Sequence, residues 1–169
     1  MSDTDTKEPA LPIDGLKLSR MLAQINLLAD NAQRLLEAFH RLAARRINLT
    51  LVTLDAADGR WRCSFCIDGE DLTSARNALE GMAEADEVIS PVGTLTLFPH
   101  RSRLDLLDRV LAVFGRKALP VHAAASSAST LSLVTDYPHL DDAVRAVMGV
   151  ASLPAGHAPH RGRVHVRQL

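Results

Sequence analysis

The fold is decided by two stretches, Cys-Ser-Phe-Cys-Ile-Asp at 63–68 and Leu-Ser-Leu-Val-Thr-Asp at 131–136, which begin 68 residues apart. Each is an apolar run of strand length that ends in aspartate. Leu72 and Leu140, four residues after each aspartate, begin runs of small and apolar residues at helical spacing, and a glycine follows each run. Because strand, aspartate, leucine, helix face and glycine recur in register, we infer an internal repeat.

The residues upstream of each stretch predict the other elements of a repeat unit. Apolar residues fall on one helix face over 35–43 in the first half and over 106–114 in the second. Each helix lies between two predicted strands, and a further strand completes each half. In chain order these strands are predicted at 22–28, 47–54 and 87–92, and then at 94–98, 119–125 and 163–168. Each half therefore has the order βαββαβ.

This order predicts an α+β fold made of two ferredoxin-like units. In such a unit the helices cover one face of an antiparallel sheet and leave the other face open. We therefore expect the two units, or two copies of the chain, to cover each other's open faces. The predicted organisation is a disordered leader over 1–15, a first unit over 16–92 and a second unit over 93–169, whose final strand can pair with either unit.

Composition and charge exclude several classes of function. Lys and Arg number 19 and Asp and Glu 20, a net charge of −1, which gives the chain no general affinity for nucleic acid or for an anionic membrane. Aromatic residues are only 4% of the chain, so few side chains could stack on bases and RNA binding is not expected. No apolar run reaches the roughly 20 residues that span a bilayer. The start of the chain lacks the pattern of a signal peptide, so we expect a cytoplasmic protein.

Sequence motifs give no indication of catalysis, a cofactor or a bound metal. No phosphate-binding loop, nucleophile motif or dinucleotide fingerprint occurs, so neither enzyme activity nor a cofactor is expected. Cys63 and Cys66 lie on one predicted strand, where positions three apart point to opposite faces, so we interpret them as buried free thiols. His157, His160 and His165 have irregular spacing and no nearby acid, and are interpreted as surface histidines.

Short motifs in both halves resemble those of a known family. In the first half, Asp30 begins the turn after the first strand, and Ile-Asn-Leu at 47–49 begins the second strand pattern. In the second half, Arg101-Ser102 follows the first strand, and Ala-Leu-Pro-Val at 118–121 begins the next strand pattern. These motifs resemble the ACT domain family, in particular the paired ACT domains of aspartate kinases, and the resemblance spans 18–150. It implies two ferredoxin-like ACT units packed as a pair.

The resemblance also implies a regulatory role. ACT domains of this family bind effector amino acids at interfaces between ACT units. We therefore expect a stand-alone module without a kinase domain, which binds a small amino acid at such an interface and regulates a partner enzyme. Lysine, threonine and methionine are the first ligands to consider, and an amino-acid biosynthetic enzyme is the implied partner. A homodimer is expected because each unit leaves a sheet face open.

Two sets of residues are candidate ligand contacts under this resemblance. In the family, the turn after the first strand presents backbone N–H groups to the carboxylate of the ligand, and the second strand presents polar groups to its amino end. Pro120 stands in the second unit where Asn48 stands in the first, and it removes a backbone donor, so the first unit is the better candidate. The candidates are Asp30, Asn31 and Asn48 in the first unit and His100, Arg101 and Ser102 in the second.

Several candidates also have a structural interpretation, and the sequence leaves both readings open. Asp30 and Ser102 suit helix N-caps, and Arg101 suits an exposed loop. Ala32-Gln33 replaces the Pro-Gly of the family in the first turn, as Leu104-Asp105 does in the second, so a side chain stands where a ligand would approach the backbone. These departures support the alternative of a ligand-free ACT protein that only dimerises.

Overall fold

The computed structural model describes residues 9–82, 85–98 and 104–161. Within these ranges the chain forms both strands and α-helices. The strands are β1 (Leu11–Pro12), β2 (Gly15–Leu18), β3 (Leu22–Ala29), β4 (Leu51–Ala57), β5 (Arg60–Asp68), β6 (Ala85–Phe98), β7 (Ala123–Ser126), β8 (Leu131–Asp136), β9 (Ala151–Ser152) and β10 (His160–Arg161). The helices are α1 (Ala32–Ala44), α2 (Leu72–Leu79), α3 (Leu104–Arg116) and α4 (Leu140–Met148).

The first unit is an antiparallel sheet in the order β4-β5-β3-β6, with α1 and α2 on one face. Alternation along β3 and β5 directs one set of side chains, including Ile25, Leu27 and Phe65, toward the helices. Leu35 and Leu42 of α1 pack in the same core, and all five side chains are buried. The helix-covered face therefore forms as the apolar patterns predict.

The second unit repeats this arrangement with strands from distant parts of the chain. Its order is β7-β8-β6-β2-β10, in which residues 92–97 of β6 pair with β8, residues 95–98 pair with β2, and β10 pairs in parallel with β2. Leu106 and Val110 of α3 pack in one core with Leu95 and Leu97 of β6. Strand β6 thus belongs to both units, and the boundary predicted between 92 and 93 lies inside it. The predicted α+β class, with two ferredoxin-like units packed as a pair, is confirmed.

The N-terminal segment from residue 9 is part of the fold, which corrects the prediction of a disordered leader over 1–15. Leu11 and Ile13 are buried, β1 pairs in parallel with β9, and β2 fills the fourth strand position of the second unit. The polar start of the chain concealed these apolar residues, which pack into the core of the second unit. The final strand predicted at 163–168 lies outside the described residues.

The second strand of each unit begins four residues later than its sequence pattern predicts. The residues before it close the preceding helix instead. The N–H groups of Ile47 and Leu119 donate to the carbonyls five residues before them, at 3.1 and 2.9 Å. The preceding residues, Arg46 and Ala118, have φ of 56° and 51°, as in a Schellman motif. Ile47 and Leu119, which the apolar pattern assigned to strands, therefore belong to the C-terminal caps of α1 and α3.

The open faces of the two sheets meet at the junction between the units. Leu22 and Cys66 pack with Val92 and Val134 in a buried cluster, which we call the junction cluster. The expectation that the units cover each other's open faces holds at this cluster. Farther from it, both faces carry partly exposed polar side chains on alternate strand positions.

Candidate functional site

The turn after β3 holds two of the predicted ligand contacts. The Asn31 side chain accepts a hydrogen bond from the Arg34 N–H at 3.0 Å and caps the N-terminus of α1. The structural interpretation gave this cap to Asp30, which is wrong by one residue. Asp30 instead lies 3.5 Å from the Arg60 guanidinium, with both side chains about half exposed. A helix cap does form at this turn, and Asn31 provides it.

The turn after β3 leads into the N-terminal end of α1, and that end of a helix attracts anions. The first turn of α1 contains no acidic side chain, so nothing within it neutralises the positive end of the helix dipole. Backbone N–H groups at such an end suit a carboxylate, and the Asp30 carboxylate beside them suits an ammonium group. The turn therefore offers complementary charge to both ends of an amino acid. Gln33 is the second residue of the helix, so a side chain does occupy the position of the family's glycine.

Asn48 lies at the other end of the first sheet. It follows the C-terminal cap of α1 and precedes β4, whose first residue, Leu51, pairs with Cys66. Thr50 fixes this segment to β5, because its N–H and its hydroxyl both donate to the Cys66 carbonyl, at 2.8 and 3.1 Å. Asn48 is half-buried beside this anchored edge.

A single chain does not bring Asn48 to the turn at Asp30 and Asn31. In the register of the sheet, the start of β4 is level with Gln24 of β3, and the end of β4 is level with Ala29, directly before the turn. At about 3.3 Å per residue, the length of β4 holds the two places roughly 20 Å apart. The predicted contacts of the first unit therefore do not form one site within one copy.

Strand β4 is an open edge of the sheet. In the described part of the chain it pairs with β5 alone, so its outer row of backbone N–H and C=O groups has no strand partner there. Val52 and Leu54 on this strand are 47% and 53% exposed. Long edge strands with exposed apolar side chains are surfaces to which another strand can add.

The candidates of the second unit lie outside the described residues: His100, Arg101 and Ser102. Pro120, at the position of Asn48, is half-buried after the C-terminal cap of α3. His122 takes the place of Thr50, and its N–H donates to the Val134 carbonyl at 2.9 Å. The two units thus share their backbone geometry at this edge and differ in the side chains that it presents.

Two side-chain contacts of aspartates beside the junction cluster were not predicted from the sequence. Asp136 Oδ1 lies 2.7 Å from Nε2 of His122, and Asp68, its counterpart in the first unit, pairs with Arg20. Asp68 also accepts a hydrogen bond from the Glu70 N–H at 3.1 Å, which caps the helical turn before α2. The repeated aspartate was visible in the sequence, but its partners become apparent only in the sheet register. Both aspartates have structural roles.

Neither cysteine offers a reactive thiolate. Cys63 faces the helices and Cys66 faces the junction cluster, so the predicted opposite orientation is confirmed. Burial raises the pKa of the Cys63 thiol to about 11 and that of Cys66 to about 12, so both stay protonated at neutral pH. Among the residues of the three described ranges, no group of three His, Cys, Asp or Glu could hold a metal ion. No helix in those ranges is long and apolar enough to cross a membrane.

Comparison with known proteins identifies the fold. No family model matches the sequence, and no curated protein matches it. Among solved structures, the ligand-free regulatory subunit of aspartate kinase from Thermus thermophilus is 18% identical, with a TM-score of 0.73 over 83% of this chain and 99% of that chain. The regulatory subunit of aspartate kinase from Thermus flavus is 17% identical, with a TM-score of 0.73 over 82% and 97%.

A longer enzyme contains the same arrangement. E. coli aspartokinase III in complex with lysine and aspartate is 18% identical, with a TM-score of 0.62 over 85% of this chain and 34% of that chain. Identities this low show the fold alone. At that level the resemblance seen in the sequence is confirmed: the chain has the tandem ACT fold of the regulatory subunits of aspartate kinase.

Proposed function

We propose that this chain is a tandem ACT regulatory module that binds a small amino acid at an ACT–ACT interface and regulates a partner enzyme. The observation that carries the proposal is the position of the candidate contacts in the first unit, at opposite ends of the open edge strand β4. The fold shared with aspartate kinase regulatory subunits supports a regulatory rather than a catalytic role.

Pairing of two copies along β4 would complete the ligand site. A strand that adds antiparallel to an edge runs in the reverse direction, so the start of the partner's β4 would lie beside the end of this one. Asn48 of the partner subunit would then approach the turn at Asp30 and Asn31. A two-fold axis through the paired strands would create the same site twice.

An α-amino acid fits the groups that this pairing collects. Its carboxylate would accept hydrogen bonds from the N–H groups at the start of α1. Its ammonium group would be held by Asp30 and by Asn48 of the partner subunit. Asp30 is available for this role because its ion pair with Arg60 is long and half exposed, and such pairs are weak.

The ligand would act by favouring the paired state. A ligand shifts an equilibrium between two arrangements only by binding one of them more tightly, and a site built from two copies exists only when they are paired. Lysine, threonine and methionine are the first candidates, and E. coli aspartokinase III, which shares the fold, is in complex with lysine. The proposed partner, an amino-acid biosynthetic enzyme, would respond to the shift through its contact with the dimer.

Thermal melting of the full chain with each of the twenty amino acids tests this function. A ligand at 100 times its Kd should raise the free energy of unfolding by about 2.7 kcal/mol, which corresponds to a Tm increase of about 5–10 °C. Asp30→Asn and Asn48→Ala should each abolish the increase, measured against the ligand-free Tm of the same variant. Asp108→Asn, the same change on the exposed side of α3, is the matched control and should keep the increase.

The second candidate function is a ligand-free protein that only dimerises. It is favoured by the start of α1, where Ala32 and Gln33 replace Pro-Gly and the Asn31 side chain is engaged in capping. An unchanged Tm with all twenty amino acids, together with a stable dimer in sedimentation equilibrium, would select this alternative over the ligand-binding function.

A further inference from the structure

The outer edge of β6 is a second open edge of the first unit. Residues 85–92 of this strand pair with β3 on one side, and on the other side β8 begins to pair only at Val92. Over 85–90, the outer row of backbone N–H and C=O groups therefore has no strand partner among the described residues. Unpaired edges of this kind accept an added strand.

The second unit carries an added strand at the equivalent edge. Its fourth strand, β2, corresponds to residues 85–92 of β6 in the first unit, and β10 pairs in parallel with the outer edge of β2. Arg161 of β10 also forms an ion pair with Asp141 near the start of α4. The repeat therefore has a fifth strand in one unit and an open edge at the same place in the other.

A groove of about 530 Å³ opens beside this edge, between β6 and α2. Its apolar lining consists of Ile25, Leu79 and Val88, of which the first two are buried and Val88 is half-buried. Exposed side chains at the end of α2 complete the lining: Arg76, Asn77 and Glu80. Because side chains alternate along a strand, every second residue of a strand added to β6 would point toward this groove.

The chain contains a segment whose side-chain pattern matches this edge and groove. In segment 162–169, which lies outside the described residues, Val164 and Val166 alternate with two arginines and a histidine, namely Arg163, His165 and Arg167. As a strand, the segment has one apolar face and one basic face. The same alternation predicts a final strand that can pair with either unit.

The charges at the edge of β6 also suit this segment. Glu87 is exposed and lies on the face of β6 opposite to Val88, where its carboxylate accepts a hydrogen bond from Asn26 at 2.9 Å. Arg76 and Glu80 lie four residues apart at the end of α2 and balance, so Glu87 gives the described side chains of this edge and groove a net negative charge. A strand with valines in the groove would place its arginines on the face of Glu87.

We propose that segment 162–169 of one copy of the chain adds as a strand to the open edge of β6 in a second copy. Val164 and Val166 enter the groove beside α2, and the arginines lie beside Glu87 of the partner subunit. The segment runs parallel to β6, as β10 runs parallel to β2. Main-chain hydrogen bonds along the edge supply affinity, and the alternate side chains supply specificity.

The segment cannot reach the edge of β6 in its own copy. Arg161 is level with Leu18 and, through it, with Leu95 of β6. Ser90, the nearest residue of the open edge, is five residues farther along β6 and three strand spacings across, so it lies roughly 22 Å away. Val164 follows Arg161 by three residues, which span at most about 11 Å. The occupant of the edge is therefore the segment of another copy.

This interaction goes beyond the proposed function and does not depend on it. It uses the edge of the first sheet that is opposite to β4, and it needs no amino acid. Failure of the strand addition would leave the proposed ligand site in place, and failure of ligand binding would leave the open edge of β6 available.

Fluorescence anisotropy with a labelled peptide of residues 162–169 tests the proposal. The binding partner is the full chain with Val164→Asp and Val166→Asp, in which the segment loses its apolar face and leaves the edge free. The peptide should bind saturably, and a peptide with the same two substitutions should have a Kd about tenfold higher or more. A peptide of the same composition with its two valines adjacent should bind equally weakly. Circular dichroism establishes that the chain is folded.

Further variants separate the charge from the main-chain contacts. Glu87→Gln keeps the acceptor for Asn26 and removes the charge, so it should raise Kd about threefold, as expected for a partly exposed ion pair. Glu70→Gln, the same change at an exposed position before α2, is the matched control and should leave Kd unchanged. N-methylation of the peptide at His165 or at Val166 blocks opposite edges of the added strand, so only one of the two should weaken binding.

Hydrogen exchange locates the bound peptide on the full chain. The peptide should slow exchange of the backbone amides over 85–90 and leave those over 51–57, on β4, unchanged. The proposal is overturned by a peptide that does not bind, by protection of β4 in place of β6, or by a rearranged peptide that binds as tightly as the native one. Equal binding of the two N-methylated peptides would also overturn it, because that result excludes strand addition.

Discussion

Replacing Leu16 with alanine tests whether the N-terminal strand completes the second unit. Leu16 is 1% exposed, lies opposite Leu97 on β6 and packs in the core under α3 and α4. Truncating a buried leucine costs about 2–5 kcal/mol, from the lost transfer free energy of the removed atoms and from the cavity that remains. We expect about 3 kcal/mol, near the middle of that range.

Thermal unfolding followed by circular dichroism measures this cost. For a chain of this length, a loss of about 3 kcal/mol lowers Tm by about 6–12 °C. Leu36→Ala is the matched control, because Leu36 lies on α1 and is 46% exposed, and surface substitutions change stability by about 0.5 kcal/mol or less. A Leu16→Ala variant with the same Tm as the Leu36→Ala control would refute the packing of β2 in the second unit.

The remaining predictions concern helix ends and the buried thiols. Arg46→Gly and Ala118→Gly should each raise the free energy of unfolding by about 0.5 kcal/mol in urea titrations, because both residues hold positive φ; a loss would contradict the Schellman geometry. Asn31→Ala should lower it by about 1 kcal/mol through loss of the α1 cap, and Asn31→Ser should cost clearly less; equal losses would argue against the cap. The raised pKa values of Cys63 and Cys66 mean that unfolded thiols lose their protons first, near pH 9, so stability should fall as pH rises from 9.0 toward 11. In a variant with both cysteines replaced by alanine, the free energy of unfolding should decrease less steeply over this pH range. An equally steep decrease would contradict the burial of the two thiols.

Local patterns in the sequence predicted the elements whose structure depends on near neighbours. The strand at 131–136 was predicted with its observed bounds, because alternation needs no information about distant partners. Ile47 and Leu119 were predicted as strand because they are apolar and follow a helix. Their N–H groups close that helix, a role that depends on the positive φ of the residue before each. Neither arginine nor alanine signals such a φ in a sequence.

Long-range pairing accounts for what the sequence concealed. Leu11 and Ile13 lie in a polar segment without a strand pattern. They are buried because they pack in the core of the second unit, most of whose residues lie far along the chain. The turn at Asp30 and Asn31 was predicted because a turn is local. Its separation from Asn48 depends on the register of β4 against β5 and β3, which no local pattern encodes.

Subunit complementation tests most directly whether a ligand site forms between two copies. The Asp30→Asn and Asn48→Ala chains are unfolded together, refolded as an equal mixture and titrated by calorimetry with the amino acid that stabilises the wild type. Each variant alone should bind none. Roughly half of the dimers in the mixture pair the two variants, and each of these has one intact site, so binding should return at about one quarter of the wild-type stoichiometry. A mixture that binds no ligand, or a single variant that binds at full stoichiometry, would contradict a site shared between subunits.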